Sequence, residues 1–161
     1  KNKKKVKYIG LDIVNNMIKF AKKNNSHKQI IFLNKDIVNY KPMKTDFIIC
    51  FYTLQFIHPK FRQAVINKLY KSLNWGGALF IVEKVRSYDA RTQDQMSTIY
   101  EEFKLLNGFT EKEVSGKKRS LKGILEPFST NGNLQMFKRA GFKDISSVAK
   151  FVCFEGFLAI K

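Results

Sequence analysis

The sequence predicts an α/β protein built on a largely parallel sheet. Three observations carry the prediction: two short β-rich runs that each end on an aspartate, a near-continuous apolar run after them, and segments of helical period between the runs. The first run is VKYIGLD (residues 6–12), followed by NNMIKFAKKNN, in which Met17, Ile18 and Ala21 recur at helical spacing. The second, IIFLNKD (residues 30–36), again places an acid just past a strand. The third, DFIICFYTLQF (residues 46–56), is apolar enough for a strand buried on both faces, as parallel sheets bury theirs. Pro59 then opens a helix in which Phe61, Val65, Leu69 and Leu73 recur at i+4, and Asn74, Gly76 and Gly77 form a turn before the strand ALFIVEK (residues 78–84). Beyond Lys84 the pattern turns helical, over about residues 90–106 and again from 111 to about 125 with an interruption at SGKKRS (residues 115–120). A helix over residues 134–140 stops at Gly141, and residues 142–161 read as two strands in a hairpin.

At 161 residues without repeats, linkers or low-complexity tracts, the chain is expected to form one domain. Hydrophobic residues make up 44% and charged residues 27%, which excludes a disordered chain, and no apolar run approaches the roughly 18 residues that span a bilayer. The basic start KNKKK leads into a strand rather than an apolar core with a cleavage site, so no signal peptide is read and a cytoplasmic protein is expected. Cys50 and Cys153 sit in apolar runs without His or Cys neighbours, as small core residues rather than metal ligands or a disulfide framework. The net charge of +17 invites an anionic partner. Only five of the 30 basic residues are Arg, however, and Lys lacks the planar fork that reads phosphates and bases, so direct nucleic-acid binding is not expected.

Acids at the ends of two successive strands have a use in a nucleotide-binding sheet. One can accept the hydroxyls of a ribose and the other the exocyclic amine of adenine, both at the carboxyl edge. Asp12 and Asp36 fit those roles, although either alone would serve as a helix cap or turn residue. Their order, strand-Asp, strand-Asp, apolar strand, helix, glycine turn, strand, matches the middle and end of an S-adenosylmethionine (SAM) methyltransferase pattern. His27 and His58 read as surface residues, and Glu83 and Lys84 as a strand end outside the site.

From Phe51 onward the chain resembles a narrower group, the carboxy-SAM synthases. TLQF (residues 53–56), the series NGF, EKEVS and KRS (residues 107–120), and the RAGF and CF ending (residues 139–154) carry the resemblance in order and spacing, and GLDIVNNMI and KDI match at the front. It implies a Rossmann-like SAM-methyltransferase sheet with a helical insertion at about residues 88–128 and a C-terminal β-hairpin. The chain begins at the second strand, lacking the first strand and its glycine-rich loop. Loss of that central strand would part residues 6–12 and 30–33 from the rest.

The resemblance also implies a homodimer that converts SAM and prephenate to carboxy-SAM and phenylpyruvate, through an ylide that captures the carbon dioxide prephenate loses. A tRNA carboxymethyl transferase acting on the wobble uridine would use the product. Asp12 with Ile13 corresponds to the ribose-binding pair, and Asp36 with Ile37 to the adenine-binding pair. Phe51 stands where the family usually has Asn. Arg119 corresponds to the arginine that grips the added carboxylate, a role suited to a guanidinium fork. Two other readings share Asp12 and Asp36: an ordinary SAM methyltransferase, which has no need of Arg119, and an inactive remnant.

Overall fold

In the computed structural model, residues 6–161 are described; the basic run at 1–5 lies outside the described residues. The protein is α/β, and its chain divides into two compact units, Lys1–Pro42 and Met43–Lys161.

The first unit is a β-α-β element: β1 (Tyr8–Asp12), α1 (Asn15–Asn24) and β2 (Ile30–Asn34). β1 and β2 pair in parallel from Tyr8↔Ile30 to Asp12↔Asn34. Gly10 is required in the middle of β1, because a Cβ there would lie 2.7 Å from the Phe32 ring. Of the helix's apolar residues Ile18 is buried, whereas Met17 and Phe20 are exposed.

The second unit holds a four-stranded sheet in the order β3 (Thr45–Phe51), β4 (Leu73–Lys84), β6 (Phe154–Ile160), β5 (Asp144–Phe151). β3 and β4 are parallel, and β6 runs antiparallel to both β4 and β5. The described strands thus fall into two sheets, one in each unit. One face of the larger sheet is covered by α2 (Pro59–Ser72) and α5 (Thr130–Ala140), which pack on each other. There Leu79, Ile81, Phe157 and Ala159 are fully buried with Val65, Ile66 and Phe137. α5 ends at Gly141, whose φ of +115° is the left-handed stop the sequence suggests, with the Tyr70 ring packed 2.8 Å from where a Cβ would sit.

Two expectations are corrected, one for β3 and one for the insertion. β3 is not buried on both faces: it is an edge strand, and Phe47, Ile49 and Phe51 on its uncovered face are 52–57% exposed. The turn expected at Asn74–Gly77 is present inside the range of β4 as a break in its ladder with β3, whose register jumps from Thr45↔Leu73 to Phe47↔Ala78; Gly76 there has φ +73°, and its amide donates to the Lys161 carbonyl at 2.9 Å. Trp75, in this first stretch of β4, is 90% exposed.

The helical insertion contains α3 (Ala90–Leu106) and α4 (Glu111–Ser120). α4 runs through SGKKRS without interruption and stops at Ser120. A capping box between Thr110 and Glu113 and the basic last turn Lys117–Arg119 offset the glycine within it, which costs about 1 kcal/mol against alanine. No helix is long and apolar enough to cross a membrane among the described residues.

Candidate functional site

In the first unit the two aspartates close the carboxyl ends of neighbouring parallel strands. Asp12 Oδ1 accepts from the Val14 amide at 2.7 Å, and Asp36 Oδ1 accepts from the Val38 amide at 2.8 Å. Each carboxylate is therefore oriented by the backbone two residues on, the turn chemistry an aspartate favours. The Asn34 side chain ties the two ends together, donating to the carbonyls of Asp12 at 3.0 Å and Ile13 at 2.8 Å. Asp36 Oδ2 accepts from Asn39 Nδ2 at 3.3 Å. Asp12 Oδ2 has no hydrogen-bond partner among the described residues, so it can accept a ligand hydroxyl. Ile13 is 66% exposed beside it, and Ile37 is half-buried.

In the second unit, β3, β4 and the turn of the β5–β6 hairpin meet at one sheet edge. Phe51 ends β3 with its ring edge-on to Phe80 and Tyr52. Tyr52 has φ +49°, a conformation uncommon outside glycine, and its amide donates to the Val82 carbonyl at 2.8 Å. The chain then makes a short 3-10 turn, Leu54–Phe56, held by one buried acid. Glu83 Oε1 accepts from the amides of Thr53 (3.0 Å) and Leu54 (2.9 Å), and Oε2 accepts from that of Gln55 (3.0 Å). Gln55 in turn accepts the Lys84 amide on its side chain, at 2.8 Å.

Burial pushes the Glu83 carboxyl above its usual range, against the pull of the three amides and of Arg62. Arg62, also buried, donates to the carbonyls of Ile57, Glu126 and Gln55 and stacks on Phe128; burial lowers its pKa, with Glu126 and Glu83 opposing. TLQF is thus a rigid turn set by Glu83 and Arg62. The signal for Glu83 was its phase, since in ALFIVEK it alternates with Leu79 and Ile81 and must share their buried face.

On the other face of the sheet, α3 lays Tyr100 against Phe154 (5.1 Å between ring centroids) and Phe103 against Phe151 (5.1 Å), with Tyr52 5.3 Å from Phe154. An open depression of about 170 Å³ lies beside this step, lined by Tyr52, Val82, Ala149 and Phe154 among others. Arg119 sits in the exposed last turn of α4, its Nη2 donating to Ser115 Oγ at 3.1 Å. The Arg119 fork is solvent-facing and available to an anion. Asp12, Ile13, Asp36 and Ile37 are brought together within one unit; Phe51 and Arg119 belong to the other.

Of the residues set aside in the sequence, His58 proves to cap α2, its Nδ1 accepting from the Lys60 amide at 3.3 Å. Cys153 is buried in the hairpin turn, and Cys50 is half-buried with its thiol pushed up to about 12, chiefly by burial. Among the described residues no group of three or more His, Cys, Asp or Glu is placed to hold a metal.

A family model described as "Methyltransferase domain" matches residues 1–141. Among curated proteins, the carboxy-S-adenosyl-L-methionine synthase of Staphylococcus epidermidis is 36% identical over 159 residues, covering 99% of this chain and 70% of the relative. Those of Campylobacter lari (35%, covering 99% and 69%) and Desulfotalea psychrophila (33%, covering 97% and 65%) are similar. Solved structures share the fold at low identity. Human N-acetylserotonin methyltransferase in complex with SAM aligns with a TM-score of 0.64 at 18% identity, over 96% of this chain and 40% of that one. The pyocyanin biosynthetic protein PhzM aligns with a TM-score of 0.65 at 12%, over 96% and 43%.

Proposed function

This chain belongs to the methyltransferase-domain family and, within it, to the carboxy-SAM synthases, and we propose that it works as such an enzyme, converting SAM and prephenate to carboxy-SAM, phenylpyruvate and water, the water formed from the hydroxyl that prephenate loses and the proton that the sulfonium methyl gives up. The observation that carries the reading is identity of 33–36% to proteins of that name along nearly the whole chain.

The residues present fit a SAM nucleoside. Asp12 has a carboxylate oxygen left for the ribose hydroxyls, Asp36 stands at the end of the adjacent strand for the adenine amine, and Ile13 and Ile37 offer apolar surface. SAM, when bound, supplies a sulfonium-activated methyl carbon. The role of Arg119 is to hold the carboxylate gained by that carbon, where a guanidinium gives two parallel charge-assisted bonds. Phe51 offers a ring where the resemblance expects an amide, so that contact with the ligand is apolar here. The partners and setting follow from the same reading: a homodimer in the cytoplasm whose product is consumed by a transferase modifying a tRNA wobble uridine.

Mass spectrometry of the nucleoside pool after incubation with SAM and prephenate tests the reaction. The expected product is heavier than SAM by one carbon dioxide, and Arg119→Ala should reduce its rate by about 10²-fold or more while leaving SAM binding nearly intact. SAM consumed without prephenate would instead mark an ordinary methyltransferase, and absence of SAM binding an inactive remnant.

A further inference from the structure

The insertion helix α3 and the end of β4 put more positive charge in one place than the chain neutralises. The Lys84 and Lys104 ammoniums lie 5.1 and 4.4 Å from the centroid of the same Tyr100 ring. Since both are that close to one point, they are at most about 10 Å apart, within a Debye length and poorly screened from each other. One carboxylate, Glu101, faces them. It is already bonded to a third ammonium, that of Lys118, at 2.8 Å, and all three lysines lower its pKa. Neither Lys84 nor Lys104 has an ion pair within 4.0 Å among the described residues. Burial lowers the pKa of Lys104, and the neighbouring Lys84 lowers it further.

Surface lysines normally swing apart into water. These two are half-buried, on the last residue of a strand and the last turn of a helix, each within about 5 Å of the same aromatic ring. The surroundings are apolar and ring-shaped. Phe154, the strand partner of Lys84, touches both Tyr100 and Tyr52, and through Tyr52 and Phe154 the cluster continues into the open depression on the same sheet face. A ligand suited to this place has a carboxylate for the ammoniums and a ring of its own for the step. A phosphate would satisfy the lysines and leave the rings unused.

We propose that Lys84 and Lys104, with the Tyr52–Phe154–Tyr100 step, form a subsite for a ring-bearing carboxylate, which in the reaction proposed above, on which its identity rests, is the carboxyl donor and its keto-acid product. Arg119 is not one of the cations at the Tyr100 ring; it lies on α4, where its guanidinium contacts Ser115. A donor carrying two carboxylates and a ring would thus be gripped by its own ammonium pair, leaving the arginine to the carboxylate that is gained.

Calorimetric titration of phenylpyruvate into the purified protein tests this without any turnover. Saturable binding is expected, weakened about tenfold or more in Lys84→Met and in Lys104→Met, and retained in Lys84→Arg, which keeps the charge. Lys60→Met is the control, because Lys60 also stacks on a ring, 4.8 Å from the Phe61 centroid, but in the first turn of α2; it should bind as the parent does. Absence of binding by the parent, or unchanged binding in both methionine variants, would overturn the proposal. Circular dichroism melting shows whether each variant is folded, and Lys84→Glu, which reverses the charge, provides a second variant if one of them is not. The two readings separate cleanly. A protein that binds phenylpyruvate through these lysines but makes no carboxy-SAM keeps the subsite and loses the reaction. One that makes carboxy-SAM with a KM for prephenate indifferent to both lysines keeps the reaction and loses the subsite.

Discussion

The two faces of the four-stranded sheet are made by alternate residues of the same strands, yet they are built on opposite terms. On the face under α2 and α5, apolar residues are fully buried and the two acids among them, Glu83 and Glu155, are each held by the chain itself. Glu83 takes three backbone amides, and Glu155 takes the hydroxyls of Thr130 and Ser147. On the other face large apolar side chains stand half in water, and the charged residues that reach it, Lys84 and Lys104, lack carboxylate partners of their own. A buried polar group with every bond made inside the protein fixes a fold, whereas one left wanting is open to a ligand. Burial alone does not identify chemistry.

The largest expected effect breaks the covered face. Phe157→Ala removes a fully buried ring that packs edge-on against Phe137 at 5.6 Å, and should destabilise the second unit by about 3–5 kcal/mol in a urea titration followed by circular dichroism.

Next comes Glu83→Gln. Its amide nitrogen would meet one of the three backbone N–H groups donor to donor, at a cost of about 1–3 kcal/mol. This variant also sharpens the comparison through pH. Because folding raises the Glu83 pKa, its protonation contributes stability that is fully present below the ordinary carboxylate range and lost as pH rises through the raised value. The advantage of the parent over Glu83→Gln should therefore shrink with rising pH across that window and level off above it, in melting curves taken from acid to neutral.

The smallest effect is expected on the open face, where Ile49→Thr should change stability by no more than about 0.5 kcal/mol, since that side chain is 57% exposed. A loss of several kcal/mol there would mean that something in solution covers this face.

Much of this was legible in the sequence, and the exceptions have physical causes. Periodicity located β1, β2, α2, α3 and the hairpin, and the position of Asp12 and Asp36 after short β-rich runs placed them at paired strand ends. A continuous apolar run such as FIICF cannot say whether both its faces are covered, because exposure depends on what packs against the strand. The SGKKRS segment read as a break because of its glycine and charges, but helix ends are decided by caps, and here Thr110 and Glu113 supply one. The Lys84, Tyr100 and Lys104 cluster was invisible because its members are joined only when α3 folds back over the end of β4.

The exposed start of β4 has a practical consequence for spectroscopy. Trp75 is the chain's single tryptophan and, at 90% exposure, its indole is nearly as hydrated in the folded protein as in an unfolded one. It also lies at the opposite end of β4 from Lys84. Intrinsic emission should therefore report neither unfolding nor ligand binding with useful amplitude. The near-ultraviolet dichroism of the interlocked Tyr52, Tyr100 and Phe154 rings is the native optical signal that follows the working edge of the sheet.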